Sequence, residues 1–233
     1  LFDTSDKIVR LMFSVFTAAS AVIMPRIANI GNGVDGIDKV KAILTKVFRY
    51  SLIVSFLLMA GLLGTSSFLI NYVLGSSFRQ MTLTYELTIL LLIPLTMANI
   101  FGNQILVPLK RTKEYTVSVI FGATINLIIQ VPIIIFYKSV GAAVAVLVAE
   151  ITVMIVQAFL VKDVLNLKNE LVQNWPVVVS GFLLLLVAKY LNSMDINVVI
   201  RLVVLVMIII LYAGWLLKRE LEYVINWCRR KRI

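Results

Sequence analysis

Long apolar segments alternate with short polar connections along almost the whole chain. About 20 helical residues are needed to cross roughly 30 Å of hydrocarbon, and seven apolar segments are close to or above that length. The segments lack the residue-by-residue alternation of membrane β-strands, so they predict an all-α transmembrane helix bundle. In chain order, spans one to seven are predicted at Ser5–Met24, Tyr50–Leu74, Thr84–Leu106, Tyr115–Phe136, Gly141–Val161, Trp175–Leu191 and Asn197–Leu217.

The composition supports a membrane location and argues against catalysis. Hydrophobic residues make up 61% of the chain, above the roughly 45–50% of soluble domains. Histidine, the commonest metal ligand and general base, is absent, and the single cysteine, Cys228, allows no internal disulfide. We therefore predict no enzyme activity, catalytic residue, cofactor or metal site. The chain starts without Met and runs directly into span one without signal-peptide features, so we expect the C-terminal part of a longer transporter.

The 22 lysines and arginines are unevenly distributed between the two sides of the predicted bundle. Sixteen lie in the C-terminal tail and in the connections after spans one, three and five, against four on the opposite side. Connections rich in Lys and Arg stay cytoplasmic, so residue 1 is predicted to lie on the extracytoplasmic side and the C-terminus in the cytoplasm. The net charge of +10 is then an orientation signal, and we predict no nucleic-acid partner.

The longest connection, from Ile27 to Arg49, has a helical pattern of its own. Its apolar residues recur on one side of a helix, opposite lysines and an arginine, at Ile37, Val40, Leu44 and Val47. This pattern predicts a short amphipathic helix in the membrane interface, with Asp35 and Asp38 at its N-terminal cap.

Polar side chains inside the membrane are concentrated in spans one, three, four and five. Such groups are costly in hydrocarbon and usually face the bundle interior or a wet cavity. We predict that they line a substrate path formed by Arg10, Ser14, Thr17, Asn99, Asn103, Gln104, Asn126 and Gln130. Spans six and seven are nearly all apolar and are expected to face lipid, with Arg201 reaching out to the membrane surface.

An alternative interpretation assigns these polar groups a structural role. Amides and hydroxyls also bond helix to helix in bilayers, at about 0.6–2 kcal/mol each. Arg10 likewise has two interpretations, since it either anchors span one at the membrane surface or binds an anion inside a cavity.

Glu150 lies in the middle of an apolar span. A rise of 1.5 Å per residue places it about 13.5 Å below the outer end of span five, and places Asn126 about 15 Å below the same surface. Spans four and five are joined by only four residues, so they must be antiparallel neighbours. Small residues that let helices approach closely follow at Gly141, Ala145 and Ala149. Two roles for Glu150 remain open, a hydrogen bond to Asn126 that locks the two helices and a proton or sodium coupling site.

An ordered set of short motifs extends from about Phe2 to Gln157: FDTSDKIVRL, AVIMPR, VLGSSF, NQILVPLKRTKEY, GATIN and GAAVAVLVAE. In this order and at these spacings they resemble the C-terminal half of Wzx-type polysaccharide flippases, in the multidrug/oligosaccharidyl-lipid/polysaccharide exporter superfamily. The resemblance implies a fourteen-helix transporter with two lobes. It implies a C-terminal lobe of five spans at residues 1–161, lacking its first helix, two extra helices at 162–217 and a basic cytoplasmic tail at 218–233.

The same resemblance implies a function in the bacterial cytoplasmic membrane. Such flippases translocate undecaprenyl-pyrophosphate-linked oligosaccharides for capsule, O-antigen or exopolysaccharide assembly, by alternating access. The expected partners are the lipid-linked oligosaccharide, membrane lipids, the N-terminal half of the same chain and other polysaccharide-assembly proteins. Arg10 is the candidate partner of the pyrophosphate, although the family usually has an uncharged residue there. The alternatives are a drug or lipid-precursor exporter of the same superfamily and a membrane enzyme of polysaccharide assembly.

The predicted orientation can be tested with cysteine labelling in intact cells. Cys228 should not react with a membrane-impermeant maleimide until the membrane is permeabilised, because the tail is predicted to be cytoplasmic. A cysteine placed between spans four and five, as Tyr137→Cys in a Cys228→Ser background, should react in intact cells. Reaction of Cys228 in intact cells, together with protection of the introduced cysteine, would reverse the orientation.

Overall fold

The computed structural model describes residues 2–31, 36–194 and 197–230, and no β-strand occurs among them. Within this part of the chain, six helices are long and apolar enough to cross a bilayer, and the longest of them contains two predicted spans. The predicted all-α membrane bundle is confirmed. Asp35 lies outside the described residues, as does the side chain of Cys228, although the backbone of the last helix continues to Arg230.

The helices follow the predicted order along the chain. Span three is built from several short pieces, and one long helix holds spans four and five. The bounds are Phe2–Gly31 for span one, Gly36–Gly64 for span two, Thr82–Ile89, Leu92–Asn99 and Ile100–Leu106 for span three, Thr112–Leu160 for spans four and five, Leu167–Ser193 for span six and Val198–Arg230 for span seven. The shorter pieces Ser66–Phe68, Leu69–Leu74 and Ser76–Met81 connect spans two and three.

The predicted interfacial helix is not a separate element. It forms the first part of Gly36–Gly64, which runs without interruption into span two. No glycine or proline occurs between Ile37 and Ala60, so nothing in the sequence breaks the helix where the membrane is predicted to begin. Val40 and Leu44 are buried, whereas Ile37 is exposed. The apolar face predicted to lie on lipid therefore packs largely inside the protein.

Spans four and five form an antiparallel hairpin inside Thr112–Leu160. Lys138 has φ 49° and ψ −123°, which breaks the helical path at the predicted connection. The two arms then come into backbone contact, since a Cβ atom added to Gly141 would lie 2.5 Å from the carbonyl oxygen of Ile133. The two backbones can approach this closely only because Gly141 has no side chain.

Span three is buried at the centre of the bundle and its helix is irregular. A turn at Leu90 and Leu91 separates Thr82–Ile89 from Leu92–Asn99. Pro94 has no backbone N–H to donate to the carbonyl four residues earlier, which favours a break at this point. The following segment, Ile100–Leu106, is a π-helix, a conformation that frequently occurs at functional sites.

Span six packs along span two more extensively than any other pair of helices does in the described part. Gly181 admits the ring of Phe56, because a Cβ atom there would lie 2.4 Å from the ring. Near one end, Thr45 Oγ1 donates to Glu170 Oε1 over 2.6 Å. Side chains on the opposite face of span six, such as Leu186, are exposed. The predicted contact with lipid is thus available to one face of this span only.

Arg201 has a protein partner that the sequence did not predict. Its side chain is buried, and Nη1 donates to the carbonyl oxygen of Asn192, just beyond the predicted end of span six, over 3.0 Å. A cation is stabilised near the C-terminal end of a helix, where carbonyl groups are unpaired. Asn192 lies in the last turn of Leu167–Ser193. Arg201 therefore connects span seven to the end of span six.

The hairpin contact predicts a difference between two glycines. Gly141→Ala should lower the thermal unfolding midpoint in detergent, because the added carbon meets backbone atoms, and overpacking costs about 1–3 kcal/mol. Gly61→Ala is the matched control, since nothing lies within 4 Å of its added Cβ and alanine favours a helix by about 0.5–1 kcal/mol. Equal midpoints for the two variants would contradict the close approach of spans four and five.

Candidate functional site

A cavity of about 390 Å³ lies between spans one, three, four and five. Its size falls within the roughly 300–1,000 Å³ of small-molecule sites. Most of its walls are apolar or aromatic, and Phe13 and Tyr115 are among them. The polar part of the wall consists of Thr17, Asn99, Asn103, Asn126, Glu150 and Gln157.

Five of the predicted site residues meet in this cavity, and each of the four helices supplies at least one of them. They are Thr17, Asn99, Asn103, Asn126 and Glu150. Gln157, seven residues after Glu150 on the same helix face, joins them. Glu150 is the one carboxylic acid among the described residues of this wall.

Three other predicted residues line neither this cavity nor the smaller one described below. Arg10 is half exposed on span one, where its Nε donates to Asp6 Oδ2 over 2.7 Å. Ser14 is exposed and its hydroxyl donates to the carbonyl oxygen of Leu11 over 2.6 Å. Gln130 is partly buried, beyond the wall formed by Asn126. Arg10 and Asp6 are nevertheless close enough to influence Glu150 electrostatically.

Gln104 belongs to a buried polar cluster that joins spans one and three. Its Nε2 donates to Ser20 Oγ over 2.6 Å and lies 3.5 Å from Asn99 Oδ1. The Ser20 hydroxyl donates in turn to Asn99 Oδ1. The helix-to-helix role that we weighed against a substrate path therefore describes Gln104, whereas Asn99 belongs both to this cluster and to the cavity wall.

The predicted hydrogen bond between Glu150 and Asn126 is not formed. Both residues line the cavity, as their equal depth suggested, but Asn126 Oδ1 has no partner among the described residues. Equal depth fixes the position along a helix and leaves the direction of each side chain open. Here both groups border the open space of the cavity.

Gln157 performs the locking role predicted for Glu150. Its Nε2 donates to Ser118 Oγ over 3.0 Å, which connects spans four and five. Close packing adds to this bond, since a Cβ atom added to Gly122 would lie 3.2 Å from the carbonyl oxygen of Ala149. Ser118 was not predicted, although it precedes Gly122 by four residues and shares its helix face.

Arg111 closes the end of the hairpin opposite Lys138. Its guanidinium forms two hydrogen bonds to Glu114 (2.8 and 2.6 Å) and two to Asp163 (both 3.0 Å). It also donates to the carbonyl oxygen of Leu160 over 2.7 Å. The hydrogen bonds to Glu114, with a smaller contribution from Asp163, raise the pKa of Arg111 above its usual value. The sequence showed Arg111 only as one of the basic residues that set the orientation.

A second, smaller cavity of about 230 Å³ lies between spans one, two and three. We call it the apolar crevice, because side chains such as Val15, Ile23 and Val54 form most of its wall. Its polar edge is formed by Ser51, Thr96, Asn99 and Gln104. The Ser20–Asn99–Gln104 cluster thus lies between the apolar crevice and the larger cavity.

The chain matches no protein-family model, and neither the curated proteins nor the solved structures include a match to it.

The buried cluster predicts unequal effects for two glutamines. Gln104→Leu should lower the thermal unfolding midpoint in detergent, because Ser20 and Asn99 lose a buried partner, at a cost of about 1–3 kcal/mol. Gln130→Leu, on a partly buried glutamine outside this cluster, should leave the midpoint nearly unchanged. If Gln130→Leu lowers the unfolding midpoint as much as Gln104→Leu does, the cluster does not contribute specifically to stability.

Proposed function

We propose that this chain is the C-terminal part of a flippase that moves a lipid-linked oligosaccharide across the bacterial cytoplasmic membrane. The observation that supports this proposal is the cavity shared by spans one, three, four and five, which brings four amide and hydroxyl residues of the predicted path together with Glu150. Polar groups within a membrane bundle usually mark a substrate or ion pathway. The quoted motifs supply the substrate class, an undecaprenyl-pyrophosphate-linked oligosaccharide for capsule, O-antigen or exopolysaccharide assembly.

The arrangement of span one favours a second lobe opposite it. Its side chains on one face are buried, Val9 and Ile27 among them, while Leu11 and Val22 on other faces are exposed. Thr17 borders the cavity from the same helix. In our proposal the N-terminal lobe covers these exposed faces, and the two lobes move against each other by alternating access around the cavity.

Arg10 would meet the pyrophosphate only after a change of partner. Its guanidinium is bonded to Asp6 in the structure, and a charge-assisted hydrogen bond is roughly twice as strong as a neutral one. The role that the resemblance implied for Arg10 therefore requires the phosphate to replace Asp6 or to share the guanidinium with it. Arg10 stays a candidate on these terms.

The cavity wall supports transport better than catalysis. A nucleophilic mechanism needs a side chain activated by a neighbouring base, and the Thr17 hydroxyl instead donates to the carbonyl oxygen of Ser14 over 2.9 Å. Glu150 makes no hydrogen bond to any described residue of the wall. A membrane enzyme of polysaccharide assembly is therefore the weaker proposal. A drug or lipid-precursor exporter would share this geometry and differ in its substrate.

The experiment that tests the proposal is deletion of the complete gene in its bacterial host. Lipid-linked repeat units should accumulate facing the cytoplasm, where an added impermeant glycosidase reaches them only in inverted vesicles. Normal surface polysaccharide, with no accumulation of repeat units, would refute the flippase proposal.

The role of the cavity can then be tested by complementing the deletion strain. Asn126→Leu in the complete protein should lower the rate at which repeat units reach the outer leaflet by about tenfold. The variant loses the hydrogen bond that Asn126 is proposed to make to the substrate, and an unmade buried hydrogen bond costs about 1–3 kcal/mol. Thr124→Val is the matched control, because Thr124 is exposed on the same helix and bonds only to the carbonyl oxygen of Ile120. Full transport by Asn126→Leu, at equal expression, would exclude the cavity from the path.

A further inference from the structure

The polar wall of the cavity is rich in hydrogen-bond acceptors that lack partners. Asn126 Oδ1 and Gln157 Oε1 are buried and have no partner among the described residues. Gln157 is only 1% exposed, and its amide nitrogen is already committed to Ser118. Glu150 contributes two further acceptor oxygens to the same wall. A buried acceptor without a partner is costly, so a ligand that donates hydrogen bonds would stabilise this site.

The charged groups around the cavity disfavour an anionic ligand. Glu150 is acidic, and no lysine or arginine belongs to the described part of the wall. The charged groups that act on Glu150 from span one are Arg10 and Asp6. These two are paired with each other over 2.7 Å and add no net charge. A ligand carboxylate or phosphate in this cavity would therefore meet the acidic Glu150, and no described residue of the wall would supply a cation to pair with it.

We propose that this cavity binds a sugar ring that has no acidic group, either uncharged or carrying an amino group. The inference rests on the proposed function and names the part of the oligosaccharide that this half of the protein recognises. Asn126 Oδ1 and Gln157 Oε1 have almost no exposed surface, so the two amides rotate toward the cavity when sugar hydroxyls donate to them. The Asn103 amide supplies a donor and an acceptor for the remaining hydroxyls. An amino group on the ring pairs with Glu150.

Apolar surfaces and volume also fit a sugar ring. Phe13 and Tyr115 lie on the wall together with the amides, and mostly apolar walls with a few placed polar groups are typical of small-molecule sites. The volume of about 390 Å³ is more than ten times the roughly 30 Å³ that one water occupies in the liquid. Acidic sugars are rejected because a charge buried without a partner is strongly disfavoured and like charges repel.

The binding test uses three methyl glycosides of one ring and the complete protein in phosphatidylcholine nanodiscs. The probes are methyl glucosaminide, methyl glucoside and methyl glucuronide, and ligand-observed NMR titration measures each dissociation constant against empty nanodiscs. Glucosaminide should bind at least as tightly as glucoside, and glucuronide at least about tenfold more weakly than glucoside. Equal binding of the three, tightest binding of glucuronide, or no binding of any of them would overturn the proposal.

Two variants assign the preference to this cavity. Glu150→Gln keeps the size of the side chain and should bring glucuronide to within about threefold of glucoside. Asn103→Asp adds a second acidic group to the wall and should increase the ratio of the glucuronide dissociation constant to that of glucoside. With two variants, the test does not depend on one of them folding. Thr124→Val is the control and should leave all three constants unchanged. A preference that neither cavity variant alters would place the sugar site elsewhere.

The outcomes separate this inference from the flippase proposal. Accumulation of repeat units in the deletion strain, combined with no discrimination among the three sugars, would leave the flippase proposal standing and refute the inference. The predicted order of affinities in a protein whose deletion has no effect on repeat units would refute the flippase proposal and leave a sugar site without that function.

Discussion

Hydrocarbon offers no hydrogen-bond partner, so polar groups at membrane depth must be satisfied inside the protein or by what the protein encloses. This constraint divides the polar groups of the chain into two sets. One set pairs across helices, as the amide nitrogen of Gln157 does with Ser118 and that of Gln104 does with Ser20. The other set has no such partner among the described residues, and it includes Asn126 Oδ1, Gln157 Oε1 and the carboxyl group of Glu150 on the cavity wall. The second set therefore marks where a ligand is expected.

The positions of the paired set decide the shape of the cavity. Spans four and five are held together at one end by Arg111 and farther along by the bond between Ser118 and Gln157. Spans one and three are held by the Ser20–Asn99–Gln104 cluster. Between these two fixed pairs of helices lies the cavity, with one pair on each side. The bonds that stabilise the bundle thus also keep its polar walls apart.

Much of the fold could be predicted from the sequence, because apolar length and charge bias are local properties of the chain. The reversal between spans four and five lies where the four-residue connection predicted it, at Lys138. The continuity of Gly36–Gly64 could have been predicted from the lack of glycine and proline between Ile37 and Ala60. The burial of Val40 and Leu44 could not, since an amphipathic pattern shows which face is apolar and not whether protein or lipid covers that face. The burial of Arg201 was missed for the same reason, as its partner, the carbonyl of Asn192, becomes apparent only once two helix ends meet.

The sequence predicted the depth of the site residues along their helices, but only partly the directions of their side chains. A constant rise per residue placed Asn126 and Glu150 at one level, and the structure brings both to the same cavity. The direction of a side chain depends on how each helix is rotated about its axis, which the rise per residue does not give. Gln104 faces Ser20, whereas Asn103, about 100° around the helix from it, faces the cavity.

Asn99 belongs to two walls at once, that of the cavity and that of the apolar crevice. A molecule bound in the cavity that moved the Asn99 carboxamide would also change the wall of the apolar crevice, and a molecule bound in the crevice would change the wall of the cavity. Linkage requires such an effect to be mutual, so occupancy of the crevice and occupancy of the cavity would alter each other's affinity by the same factor. A substrate with an oily tail and a polar head is the kind of molecule for which two compartments sharing one side chain would act as a single coupled receptor.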